Sequence, residues 1–269
     1  MKRSIIIAEA NNKGGVGKTT TVANLGHILA SKGYRTLMID MDGQCSLTEN
    51  FISYYPERTV YQLMTEARTK CGLAGIIITG DQFDHPAENL DLIPSSPWAC
   101  ELDMMLTGKT QNESILVKAL RTLNVEYNYD VVLMDCPPSL ELMTRNALVA
   151  CDKLLVPTTA EVMPLRGLKN LEEKCEEIAE ELNPGLAIGG IIITRYVKGK
   201  RLSQSVEEAL RSHYGDVVFQ TRIRENVRLA ECPQHRQDII SYDPASNGAA
   251  DYQALTKEFI EKYLNHDEK

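Results

Sequence analysis

No run of about 18 apolar residues occurs in this 269-residue sequence, so it offers no membrane-spanning helix. The start, Met1-Lys2-Arg3-Ser4-Ile5-Ile6-Ile7, is charged, but its apolar run is too short for a secretory leader. Seven cysteines, at 45, 71, 100, 136, 151, 175 and 232, never fall in a C-x-x-C spacing. That leaves no zinc ribbon and no disulfide framework, and free thiols in a reducing cytosol are expected. Positive charge is in deficit too. The formal net charge of -8 favours solubility and, taken over the whole chain, argues against nucleic acid. Repeats, low-complexity tracts and linkers are absent, so residues 1–269 read as one domain.

What is present is a regular alternation. Ile5-Ile6-Ile7-Ala8 is a β-branched run suited to a strand buried on both faces. A glycine-rich loop follows. Val22, Leu25, Ile28 and Leu29 then recur at helical spacing until Gly33, where a helix would stop. Thr36-Leu37-Met38-Ile39-Asp40 is the next strand, which completes a βαβ unit. Further strands are expected at 130–135, 153–157 and 189–194, with helices at 165–182, 202–213 and 245–264. The stretch 43–125 is less regular, with short helices at 60–67 and 114–123 and a strand at 90–94. Such alternation predicts an α/β fold, a doubly wound and mostly parallel sheet flanked by helices.

The loop reads Lys13-Gly14-Gly15-Val16-Gly17-Lys18-Thr19-Thr20. Its end fits the phosphate-binding pattern G-x-x-x-x-G-K-[ST], but Asn12 stands where the first glycine belongs. A Gly-rich turn between a strand and a helix aims backbone N–H groups and the helix dipole at an anion. Lys18 would reach the β- and γ-phosphates, and the Thr19 hydroxyl would ligate Mg²⁺. Carboxylates stand where such a site needs them. Asp40 and Asp42 lie at i and i+2 at the end of the second strand, near the metal and an attacking water. Asp135 ends the buried run Val131-Val132-Leu133-Met134, a placement suited to holding Mg²⁺.

Lys-Gly-Gly-Val-Gly-Lys-Thr-Thr resembles the deviant Walker A motif of the ParA/MinD ATPases. The resemblance implies that Lys13 crosses a dimer interface to the phosphates of a partner's ATP, and it accounts for Asn12. Asp40-Met41-Asp42-Gly43-Gln44 is similar to that family's Asp-x-Asp-Pro-Gln switch, with Gly43 in place of proline. By that likeness Asp42 orients the hydrolytic water and Asp40 supports the metal shell. Cys136-Pro137-Pro138-Ser139 resembles the second switch.

Residues 195–228 hold eight Lys/Arg (Arg195, Lys198, Lys200, Arg201, Arg211, Arg222, Arg224, Arg228) against four acids. A local basic patch binds phosphate backbones without sequence preference, although a solvated cationic face is the plainer reading. Ile223-Arg224-Glu225-Asn226-Val227-Arg228-Leu229-Ala230-Glu231-Cys232-Pro233 looks like the ParA segment Ile-Pro-Arg-Asn-Val-Arg-Leu-Ser-Glu-Ala-Pro, departing at Arg224 and Glu225. The resemblance places the base near Thr194, Arg195, Ile223 and Arg224. It places DNA contacts at Lys198, Lys200, Arg201, Arg222, Arg224 and Arg228. It implies an ATP-dependent homodimer, slow hydrolysis stimulated by a ParB-like centromere-binding protein, and a cytoplasmic, nucleoid-associated location. The alternative is a MinD-like membrane-surface ATPase. That needs a basic amphipathic C-terminal helix, whereas residues 258–269 are short and mixed in charge. An iron–sulfur reductase of the same superfamily would need a second cysteine to match Cys136, and none is evident.

Overall fold

The fold is described from a computed structural model that covers residues 4–66, 75–108, 112–161 and 164–265. Met1–Arg3, Ala67, Cys71 and residues 266–269 lie outside them.

One eight-stranded sheet organises the chain, in the order β3-β4-β2-β5-β1-β6-β7-β8. The strands are β1 (Ile5–Glu9), β2 (Thr36–Asp40), β3 (Ile78–Thr79), β4 (Leu90–Ile93), β5 (Val131–Asp135), β6 (Lys153–Thr159), β7 (Ile188–Tyr196) and β8 (Val218–Arg224). All pairings are parallel except that of the edge strand β3 with β4. Parallel strands need crossover helices, and these cover both faces. They are α1 (Lys18–Ser31), α2 (Ser46–Glu49), α3 (Val60–Glu66), α4 (Leu102–Leu106), α5 (Ile115–Tyr127), α6 (Leu142–Ala150), α7 (Pro164–Glu181), α8 (Arg201–Tyr214), α9 (Val227–His235), α10 (Ile239–Tyr242) and α11 (Asn247–Tyr263).

Burial on both sides explains why the central strands lack polar alternation. Ile7 packs with Val22, Leu25, Phe219 and Tyr252 on the α1/α11 side. Its neighbour Ala8 packs with Leu37, Leu148 and Leu171 on the other. Helix α1 starts where Gly17 turns left-handed (φ 91°) and stops at Gly33 (φ 89°), a conformation glycine takes without strain.

The expected strands and long helices are all present, as are the short elements in 60–66, 90–93 and 115–127. Beyond these the fold has β3, β8, α2, α4, α6, α9 and α10, none of which was expected. β8 was read only as basic sequence, because Val218-Phe219-Gln220-Thr221-Arg222-Ile223-Arg224 puts three polar residues in a row and shows no strand-like alternation. α6 follows two prolines, which mask its start, and α9 carries Pro233 inside it.

Candidate active site

Because the strands run parallel, their C-terminal ends share one edge of the sheet, and strand order reverses around β1, with β2 placed to one side and β6 to the other. A cavity of about 730 Å³ opens at this edge. Gly14 to Thr20 line one end, Asp42, Gln44 and Ser46 the side, and Thr194, Arg195, Ile223 and Arg224 the other end. Gly15 (φ 69°) and Gly17 (φ 91°) are left-handed, which turns successive N–H groups inward as an anion cradle. Asn12 is absent from the positive-φ residues, so glycine is not required there. The Lys18 ammonium is buried and donates to the Asn11 carbonyl at 3.4 Å, folded back along the loop. Asn11 braces the turn, donating to the Pro157 carbonyl (2.8 Å) and accepting the Lys13 amide (3.0 Å).

Three carboxylates sit in register across neighbouring strand ends: Glu9 opposite Asp135, and Asp135 opposite Asp40. All three are buried. Burial, with the Asp40 charge beside it, pushes the Asp135 carboxyl up to about 8. Asp135 Oδ2 accepts the Thr19 hydroxyl at 2.6 Å, while its Oδ1 has no partner. A hydroxyl and an orphaned buried carboxylate oxygen are hard donors suited to Mg²⁺. Asp40, expected to support the metal shell, is held by the loop that follows it. Its Oδ2 accepts the Thr48 amide and hydroxyl (2.8 and 2.7 Å) and its Oδ1 the Asp42 amide (3.1 Å). Those bonds commit it to organising the loop, and burial raises it to about 7 in spite of them. Asp42 faces the cavity with Oδ1 bonded to the Gln44 amide at 3.0 Å.

Glu9 was not singled out from the sequence. Both of its carboxylate oxygens are buried without a partner, and burial, then Asp135, raise its pKa well above the usual range. One acid ending an isoleucine-rich strand is the signal that marks it.

The family model described as an AAA domain matches residues 4–188. The chromosome-partitioning ATPase Soj of Thermus thermophilus is 39% identical over 254 residues, 94% of each chain. A putative plasmid partition protein of Borrelia burgdorferi, solved bound to AMPPNP, superposes with a TM-score of 0.78 at 28% identity, covering 97% of this chain and all of that one. Cobyrinic acid a,c-diamide synthase of Mycobacterium smegmatis, solved with ADP and magnesium, gives 0.79 at 26%, covering 96% and 95%. This chain belongs to the ParA/Soj family of P-loop ATPases. The enzyme is therefore an ATP hydrolase, and its fold family binds nucleotide with Mg²⁺.

Within this ATPase Lys13 stands apart. It does not line the cavity that Gly14 to Thr20 line. Its ammonium, half-exposed, pairs with Glu161 Oε2 at 3.2 Å and donates to Thr159 Oγ1 at 3.3 Å. Glu161, just past β6, is held below the usual carboxylate range chiefly by that bond.

The far end of the cavity is less cationic than its sequence. Thr194 Oγ1 donates to the Val16 carbonyl at 2.8 Å, so it braces the phosphate loop. Arg195 is exposed with φ 50°, and Ile223 is buried. Arg224 turns its guanidinium to Asp251 at 2.6 Å, so charge there is neutralised. Arg222 pairs with Glu207 at 2.6 Å, which Arg211 also contacts at 2.8 Å. Arg228 pairs with Glu231 and Asp243. The expected basic face thus shrinks, because folding brings acids from α8, α9 and α11 onto these arginines. Lys198 and Lys200, exposed in the turn after β7, and Arg201, exposed at the start of α8, make no ion pair among the described residues.

Among the described residues no helix is long and apolar enough to cross a membrane, and the cysteines are free.

Proposed function

We propose that this ATPase is a partition motor that dimerises on ATP, coats DNA without sequence preference and is released when a centromere-binding partner stimulates hydrolysis. The observation that carries the reading is Lys13. Its ammonium points out of its own cradle and is held by Glu161. A cation there serves a phosphate only when a second copy presents one. Similarity to Soj, which is itself a chromosome-partitioning ATPase, supports the cellular role.

In the dimer, Gly14 to Thr20 hold the phosphates by backbone N–H groups and Lys18 offsets charge on the γ-phosphate. Thr19 and Asp135 would hold Mg²⁺, which would supply neutralisation of the phosphate oxygens there. Asp42 aligns water for in-line attack. With no strong general base at the attacking water, the unstimulated rate is slow. Lys198, Lys200 and Arg201 supply the unpaired cations for DNA, on the edge that also carries the nucleotide.

Sedimentation with and without ATP tests this. Wild type is expected to shift to a dimer with ATP and then to retain duplex DNA of arbitrary sequence on a filter at low salt. Lys13→Ala should remain folded and monomeric. A Lys13→Ala protein that dimerises normally refutes the assignment.

A further inference from the structure

The switch loop carrying Asp42 is packed against a segment far from the phosphate motifs in sequence. Gly43 is not in the left-handed region, so its backbone angles do not demand glycine. Space does. A Cβ built on Gly43 would lie 2.3 Å from Cys100 Sγ, 2.8 Å from the Cys100 backbone nitrogen and 3.3 Å from its Cβ. The backbone atom cannot swing aside as a side-chain tip can. This close approach explains why the chain departs from a proline at 43. The loop is held from within by the Asp42 carbonyl accepting the Cys45 amide at 2.9 Å and the Gly43 carbonyl facing the Cys45 thiol at 3.4 Å.

Residues 97–106 also reach the second loop of the site. Asp103 Oδ1 accepts the Met143 amide at 3.0 Å, in the first turn of α6. The Glu141 carboxyl, at the start of that helix, shares a hydrogen bond with Asp103. Helix α6 follows Cys136-Pro137-Pro138, and Pro138 lines the nucleotide cavity. One short segment therefore touches the loop after β2 through Cys100 and the loop after β5 through Asp103.

We propose that residues 97–106 form a brace that positions Asp42 for hydrolysis through the Cys100–Gly43 contact. Cys100 and Asp103 are positioning residues. Neither lines the cavity, and both act through the loops they hold. The brace also ties the two loops together, so displacement of one is felt at the other. The inference rests on the hydrolytic role proposed for Asp42.

The test is steady-state ATP hydrolysis together with ATP affinity from a fluorescent analogue. Cys100→Leu enlarges the side chain against Gly43. It should lower kcat about tenfold or more, since displacement of a reacting group by about 1 Å costs up to 10²-fold, while affinity stays within about threefold. Gly43→Ala, from the other side of the contact, should give the same split. Cys100→Ser, of nearly equal size, should restore the rate. Asp103→Ala sits at a half-buried position that leaves the core intact, and it should lower kcat by releasing the far end. Wild-type kcat in Asp103→Ala or in folded Cys100→Leu overturns the brace, as do equal losses in kcat and affinity. Asp42→Asn, run alongside, separates the two claims. Full hydrolysis in Asp42→Asn sinks the role of Asp42. An inactive Asp42→Asn beside a fully active Cys100→Leu sinks only the brace.

Discussion

Replacing Glu9 by methionine should stabilise the nucleotide-free protein. Glu9 ends β1 with no exposed surface, and neither carboxylate oxygen has a partner. A buried polar group left unsatisfied costs about 1–3 kcal/mol. Methionine is similar in length, so it fills the space with little strain and adds about 1.5–3 kcal/mol of apolar burial. Allowing for imperfect packing, the net gain is about 2–4 kcal/mol, or roughly 5–10 °C in Tm for a chain of this size. The gain must also depend on pH. Burial and the neighbouring Asp135 raise the Glu9 pKa well above its ordinary value. The folded state therefore holds a proton that the unfolded chain releases above about pH 4.3. The stability contributed by that proton is fully present below the unfolded pKa and is lost as pH rises toward the folded one. The difference between Glu9→Met and wild type should widen steadily from pH 5 to pH 8. Urea denaturation at several pH values measures it. A variant less stable than wild type at pH 8, or a gap that ignores pH, would show that Glu9 has a partner in the folded protein.

Four further expectations follow from the same geometry. Asp135→Asn should abolish Mg²⁺-dependent hydrolysis, and because burial raises the Asp135 carboxyl to about 8, it should flatten the fall in nucleotide-free stability between about pH 4 and pH 8; calorimetry and phosphate release check both. Glu161→Gln frees Lys13, so the ATP-dependent dimer should form at a protein concentration lower by up to about fivefold, as sedimentation would register. Replacing Lys198, Lys200 and Arg201 together by alanine should cut DNA binding and reduce the salt slope by up to about 3, whereas Arg222→Ala should change the slope little because Glu207 already neutralises it. Asp251→Asn weakens the fork that fixes Arg224, and should cost about 1 kcal/mol in denaturant titration, since the guanidinium is more than a third exposed.

Much of the site was legible because its chemistry is local. A βαβ unit is contiguous, so strand, glycine loop and helix appear together between residues 5 and 40, and Lys18 and Thr19 follow from loop geometry alone. Asp42 and Asp135 were legible because an acid at the end of an apolar strand is conspicuous. Asn12 read as a defect in the phosphate motif, yet the backbone there needs no glycine.

The remainder depends on contacts between residues distant in sequence. Net charge in 195–228 was countable, but which arginines stay free was decided by acids that folding delivers, among them Asp251 to Arg224 and Asp243 to Arg228. Asp40 read as a metal group, and only the fold brings Thr48 onto its Oδ2 and turns the Asp42 amide onto its Oδ1. Gly43 stood out only as a departure from proline, and the fold brings the backbone nitrogen of Cys100 to within 2.8 Å of where its Cβ would stand. The sequence by itself determined the six central strands, the phosphate loop and the kind of chemistry, since hydrophobic period and loop residues are written along the chain, whereas the edge strands β3 and β8 were not legible. Tertiary structure alone decided which charges remain unpaired, which carboxylate is orphaned and which segment holds the switch. Those properties belong to pairs of residues that only the fold brings within a few ångströms.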